Sequence, residues 1–167
     1  MLVTLGIDPG SRRTGYGVVE GDGRRLRYVT CGTIALPGNL SFPQRLGTIY
    51  RDLQKVIRGH GPHCMAVEAV FLARNAQSAL KLGQARGAAI LAGVNAGLPV
   101  HEYTALQVKQ AVVGYGKAGK DQIQEMMRYL FGLRSALKPD AADALAVAVC
   151  HANTAFVRDR WAGKAAP

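Results

Sequence analysis

The sequence predicts an α/β fold, a mixed five-stranded sheet with helices on both faces. Three observations predict it. Three extended runs open the chain, with a hairpin signal between the second and third. Extended and helical periodicities then alternate. The last third of the chain reads as helices alone. With 167 residues, 49% of them hydrophobic, the chain can bury one ordinary core. No internal repeat or low-complexity tract interrupts it.

Residues 2–8 form a short apolar run closed by Pro9-Gly10, the pattern of a buried strand ending in a turn. Residues 15–20 and 25–35 are rich in Val, Tyr, Thr and Ile and flank Gly21-Asp22-Gly23, so three consecutive antiparallel strands are expected. Over 43–58 the period changes. Leu46, Ile49, Tyr50, Leu53, Val56 and Ile57 recur at helical spacing, and Gly59 and Gly61-Pro62 stop the helix. Residues 64–68 read as a buried strand. Residues 75–97 read as a long helix with many small residues, including Gly83, Gly87 and Gly93. Glycine costs stability inside a helix, so close packing is expected to compensate. A short strand spans 99–103. Helices are expected near 104–113, 120–131 and 140–153, with a glycine-rich loop at 114–119. The whole of 1–153 reads as one domain, followed by a tail at 154–167 whose order the sequence leaves open.

Charge narrows the class of partner. Twenty-one Lys and Arg face eleven Asp and Glu, a net charge of +10. That suits a polyanion such as nucleic acid, but charge alone fits a generally basic protein equally well. No apolar stretch reaches the ~18 residues of a membrane span, and no signal-peptide pattern opens the sequence, so a cytoplasmic protein is expected. Cys31, Cys64 and Cys150 are odd in number and lie in apolar runs, as reduced core residues do. His60 and His63 form an HxxH pair beside Cys64. At a Gly/Pro-rich turn such a pair is more often solvated than metal-bound.

The scarce acids carry the chemistry. Asp8 ends Leu-Gly-Ile-Asp, and Glu68 ends Met-Ala-Val-Glu. Asp140 and Asp143 stand at i, i+3 at the start of an apolar helix. A carboxylate among apolar residues is costly unless something neutralises it. Two strand ends and one helix start could bring all four together as an oxygen site for hard divalent cations, the requirement for metal-assisted phosphodiester hydrolysis. Three of the four acids also have an ordinary reading. Asp140 and Asp143 could form a capping box, and Asp8 could be a turn residue. Glu68 has no such routine job. Asp8-Pro-Gly-Ser with Thr14-Gly15 also looks like the phosphate loop of actin-like ATPases. That reading is minor, because those enzymes need a second domain to enclose the nucleotide.

The segments GIDPGSRRTGYGV, VEAVFLARNAQSALKLGQARGAA, YTALQVKQAVVGYGKAGK and DAADALAVAVCH together resemble the RuvC family of Holliday-junction resolvases, in the family's order and over nearly the whole chain. The resemblance implies a ribonuclease H-like fold, with Asp8, Glu68, Asp140 and Asp143 as catalytic residues and metal ligands. It implies Mg2+ as cofactor, two ions per subunit, with Mn2+ able to substitute. It implies a homodimer that makes paired symmetric nicks in four-way junction DNA and works with the RuvA and RuvB branch-migration proteins. It further implies DNA contacts by Phe71, Arg74, Lys109, Lys117 and Lys120. Ala69 departs from a polar residue found in some members, and Ser11, Arg12 and Arg13 fall in a loop that varies. The alternatives are another ribonuclease H-like nuclease or a non-catalytic binder of structured nucleic acid. Scarce acids in apolar settings speak against a mere binder, because carboxylates repel phosphates unless a cation intervenes.

Overall fold

In a computed structural model of the chain, residues 1–22, 25–69, 75–114, 116–117 and 119–162 are described, with side chains to residue 157. Strands β1 (Leu2–Asp8), β2 (Arg13–Gly21) and β3 (Leu26–Ala35) form the expected meander. Helix α1 (Phe42–His60), strand β4 (Cys64–Ala69), helix α2 (Ala76–Asn95) and strand β5 (Val100–Thr104) follow. Helices α3 (Ala105–Val113), α4 (Lys120–Leu130) and α5 (Pro139–Ala162) complete the order. The sheet runs β3-β2-β1-β4-β5. β1 pairs antiparallel with β2 and parallel with β4, and β4 pairs parallel with β5. The sheet is therefore mixed, with β1 at its centre.

Side-chain alternation divides the core in two. Leu5, Ile7, Met65 and Val67 point to one face, where they meet Ile49 and Leu53 of α1 and Ala85, Ala89 and Ala92 of α2. Ala66 and Tyr103 point to the other, against Val108, Ile123 and Met127 and the apolar run Leu145–Cys150 of α5. Helices cover both faces, as expected. The α1 periodicity holds, with Ile49, Leu53 and Ile57 buried, a Ser41–Gln44 capping box at the start and Gly61 in the left-handed region (φ 54°) at the end.

Three local expectations change. α5 runs on to Ala162, past the expected end at 153. Among the described residues, Gly93 is the α2 glycine that packs closely, against Met65, whereas a Cβ on Gly83 or Gly87 would meet none of them within 4 Å. His63 has a structural task. Its Nδ1 accepts the Val3 amide at 2.9 Å, and its own amide donates to the Val3 carbonyl at 2.8 Å, extending the β1–β4 pairing. Cys31, Cys64 and Cys150 are free thiols, the last two buried.

Candidate active site

Asp8 and Glu68 are placed by strand pairing. Ile7 lies opposite Val67 in the parallel β1–β4 ladder, so the next residue on each strand, Asp8 and Glu68, projects to the α5 face at adjacent strand ends. Helix α5 supplies the other two acids. It lies against β1 and β2 closely enough that a Cβ on Gly15 would sit 1.9 Å from the Asp140 carbonyl oxygen, and one on Gly6 2.1 Å from that of Ala144. Only glycine admits the helix so near the strands, and this approach sets Asp143 beside Asp8. The helix begins one residue before Asp140, and the Ala142 amide donates to the Lys138 carbonyl at 3.0 Å. Asp140 thus stands inside the first turn and does not cap the helix, which corrects the capping-box reading.

Asp8, Glu68 and Asp143 line one cleft of about 210 Å³ together with Lys109, Lys120 and apolar groups such as Val108 and Ile123. Asp140, one turn before Asp143, lines the adjoining cleft. Lys120 reaches in from the start of α4, with its Nζ 3.7 Å from Asp143 Oδ2. Burial raises the Asp8 pKa to about 8, and the charges of Glu68, Asp143 and Asp140 add to the rise while Lys120 opposes it. Glu68 is raised by burial and by Asp143, against Lys120 and Lys109. Asp143 is raised by burial, with Lys120 the main opposing influence. These carboxyls are thus clustered closely enough to feel one another, in a site where negative charge is costly.

The donor set fits a hard divalent cation. All of its candidate ligands are carboxylate oxygens, and the raised proton affinity of Asp8, Glu68 and Asp143 marks a place where positive charge is missing. Among the described residues, no three His, Cys, Asp or Glu side chains are drawn together at metal-holding spacing. Like charges in a low-dielectric cleft repel, and a cation would have to pull them inward.

Of the expected DNA contacts, Lys109 and Lys120 line the acidic cleft, whereas Lys117 is exposed before α4 and does not line it. Phe71 and Arg74 lie outside the described residues. Sequence reasoning missed Gly15, whose role depends on a helix more than a hundred residues away. The only hint was its place in a β-rich run that needs no glycine.

A family model described as crossover junction endodeoxyribonuclease RuvC matches residues 4–151. A protein of that description from Geobacter sulfurreducens is 62% identical over 154 residues, covering 92% of this chain and 94% of its own. One from Cupriavidus metallidurans is 57% identical over 149 residues, covering 89% and 82%. Among solved structures, Thermus thermophilus RuvC in complex with a Holliday junction substrate superposes with a TM-score of 0.88 at 36% identity, covering 95% of this chain and 97% of that one. The yeast mitochondrial Holliday junction resolvase Ydc2 shares the fold, with a TM-score of 0.67 at 14% identity, covering 96% and 82%.

Proposed function

Since this chain belongs to the RuvC family of crossover junction endodeoxyribonucleases, we propose that Asp8, Glu68, Asp140 and Asp143 form its catalytic centre. The enzyme has a ribonuclease H-like fold and is a Holliday-junction resolvase of the divalent-metal-dependent kind. The observation that carries the residue assignment is the convergence of Asp8, Glu68 and Asp143 on one cleft that also holds two lysines.

Mg2+, two ions per subunit, is the cofactor we assign, with Mn2+ able to substitute. When bound, such ions supply a nucleophilic water and stabilise the leaving oxygen. The four carboxylates would hold the cations, and Asp8, Glu68 and Asp143, with their raised proton affinity, would give up protons to do so. Lys109 and Lys120 lower the proton affinity of Glu68 and Asp143 and offer ammonium groups to the phosphate oxygens of the cut strand. The apolar lining around Val108 and Ile123 limits bulk water, which strengthens each of these interactions.

We also assign a homodimer. A four-way junction has two-fold symmetry and needs two symmetric nicks, whereas one chain carries one set of acids. Helix α2 presents an unpartnered seam. Leu80, Leu91 and Val94 are 66%, 51% and 53% exposed, and Gly87 stands open between them. Positions 80, 87, 91 and 94 repeat at the spacing of a helix–helix seam. RuvA and RuvB are assigned as partners from the family resemblance. Among the described residues no helix is long and apolar enough to cross a membrane, and we place the enzyme in the cytoplasm, with the DNA.

The test is cleavage of a four-way junction beside duplex, single strand and RNA–DNA hybrid, with Mg2+ or with excess chelator. Paired nicks in the junction alone, lost in chelator, are expected. Asp8→Asn, Glu68→Gln and Asp143→Asn should each nearly abolish cutting while junction binding persists. Full activity in any two of them would overturn the site, and preferred cutting of the hybrid would favour a different ribonuclease H-like nuclease.

A further inference from the structure

A second, larger cleft of about 1150 Å³ adjoins the acidic one at the first turn of α5, where Asp140 lines it. Its cations come from three separate segments: Arg12 and Arg13 from the β1–β2 turn, Arg45 from α1 and Lys81 from α2. Elsewhere the basic residues are often neutralised. Arg27 holds Glu20, Lys55 holds Asp52, Arg86 holds Glu102 and Arg128 holds Glu125. Among the described residues, Arg12, Arg13 and Lys81 have no carboxylate in such a pair. Arg45 donates to the carbonyls of Leu40 and Gly38, both at 3.1 Å, and so is held in place beside the cleft.

The turn that carries Arg12 and Arg13 is fixed as well. The buried Thr14 hydroxyl donates to the Gly10 carbonyl at 3.2 Å and accepts from the Gly10 amide at 3.4 Å. The Leu36 amide donates to the Arg12 carbonyl at 3.0 Å, tying the turn to the end of β3. A turn backbone and an Arg45 guanidinium held before binding lose little freedom when a phosphate arrives. On α2, Ser78, Lys81 and Leu82 line the cleft, on the side of the helix opposite the exposed Leu80, Leu91 and Val94. The groove therefore leads from the Asp140 edge across the chain's own surface, away from the seam.

We propose that this groove is a strand track. Arg12, Arg13, Arg45 and Lys81 hold the sugar–phosphate backbone of the cut strand where it passes beyond the scissile phosphate. The proposal rests on the reading of the chain as a junction nuclease. The track fixes the path of the strand, which leaves the acidic cleft along Asp140 to reach the cations.

The experiment couples protein charge to phosphate charge, using full-length protein and a synthetic four-way junction. Arg12→Ala/Arg13→Ala/Lys81→Ala should reduce the slope of log affinity against log salt by about three units, and each single replacement by about one. Lys55→Ala, at an ammonium that already holds Asp52, should leave the slope unchanged. The loss should fall on KM more than on kcat at saturating junction. Methylphosphonates placed one at a time along the cut strand should weaken wild-type binding at the track phosphates, and weaken the triple variant much less. Lys81→Glu alone should exceed Lys81→Ala, a readout that needs no multiple substitution. An unchanged slope, an equal loss in Lys55→Ala, or no phosphate of the cut strand coupled to the triple variant would overturn the track while leaving the nuclease assignment intact. Wild-type protein that neither binds nor cuts the junction would remove both.

Discussion

Asp8 keeps its proton to about pH 8, chiefly because burial opposes its charge and then because three carboxylates face it. In the unfolded chain it would lose that proton near pH 4. Between those values the folded state binds more protons, so this group lowers stability as pH rises from about 4 to 8, and its effect levels off above 8. Asp8→Asn should therefore raise the melting temperature in chelator at pH 8, by an order of ~2 kcal/mol or about 5 °C, and should flatten the decline between pH 5 and 8. Melts in chelator across that range check it, and equal slopes for both proteins would refute it. Mg2+ should stabilise the wild type far more than the variant, with proton release on binding. Lys120 lowers the proton affinity of Asp8, Glu68 and Asp143, whereas Lys109 acts on Glu68 and Asp143. Lys120→Ala should thus move the acid limb of the cleavage profile to higher pH, and further than Lys109→Ala does. A limb that stays in place in both variants would leave the lysines with phosphate contact alone.

At the scale of elements, α5 and α2 carry different constraints. α5 reaches the site because β1 and β2 offer glycine beneath it, and a Cβ at Gly15 has no room beside the Asp140 carbonyl. Gly15→Ala should cost about 1–3 kcal/mol of stability and displace the helix start. A displacement near 1 Å should cut cleavage on the order of a hundredfold even in protein that remains folded. Urea melts and single-turnover cleavage separate the two effects, and unchanged values in both would contradict the tight contact. α2 faces the opposite way. At Gly87 a side chain meets no described atom within 4 Å, so Gly87→Leu should not destabilise the single chain, and better helix propensity should favour it slightly, while the sedimenting species shifts from dimer toward monomer. A dimer that withstands this change would place the interface elsewhere.

The molecule as a whole is a strongly basic body with a small acidic cleft, and the two signs do different work. The net charge of +10 draws DNA to the surface and makes affinity fall steeply with salt. The acids work against that attraction until cations occupy them. Replacing Mg2+ with Ca2+ should therefore retain junction binding while supporting little cleavage, because the larger and looser Ca2+ shell positions water poorly. Cutting in Ca2+ at the Mg2+ rate would show that the site tolerates loose geometry. Paired nicking should also track the dimer. At protein concentrations where sedimentation shows monomer, single nicks should replace paired ones.

What could be read from residue order was local or periodic. Short apolar runs over 2–8 and 64–68 placed the two strands that end in Asp8 and Glu68, and helical spacing placed α1. The same periods say which face of an element is apolar, because burial of that face drives folding. Scarcity made the acids conspicuous, and four motifs in order made the family recognisable. Only the tertiary structure decided that α5 lies directly over Gly6 and Gly15, that Lys120 meets Asp143, and that Arg12, Arg13, Arg45 and Lys81 border one groove. It also decided that His63 serves strand pairing and that Asp140 does not cap its helix. Periodicity reports the environment of a residue but not the identity of its distant neighbours. Those neighbours are chosen by the mutual fit of surfaces from segments far apart in the chain, and a groove built from a turn and two helices leaves no repeating mark on any one of them.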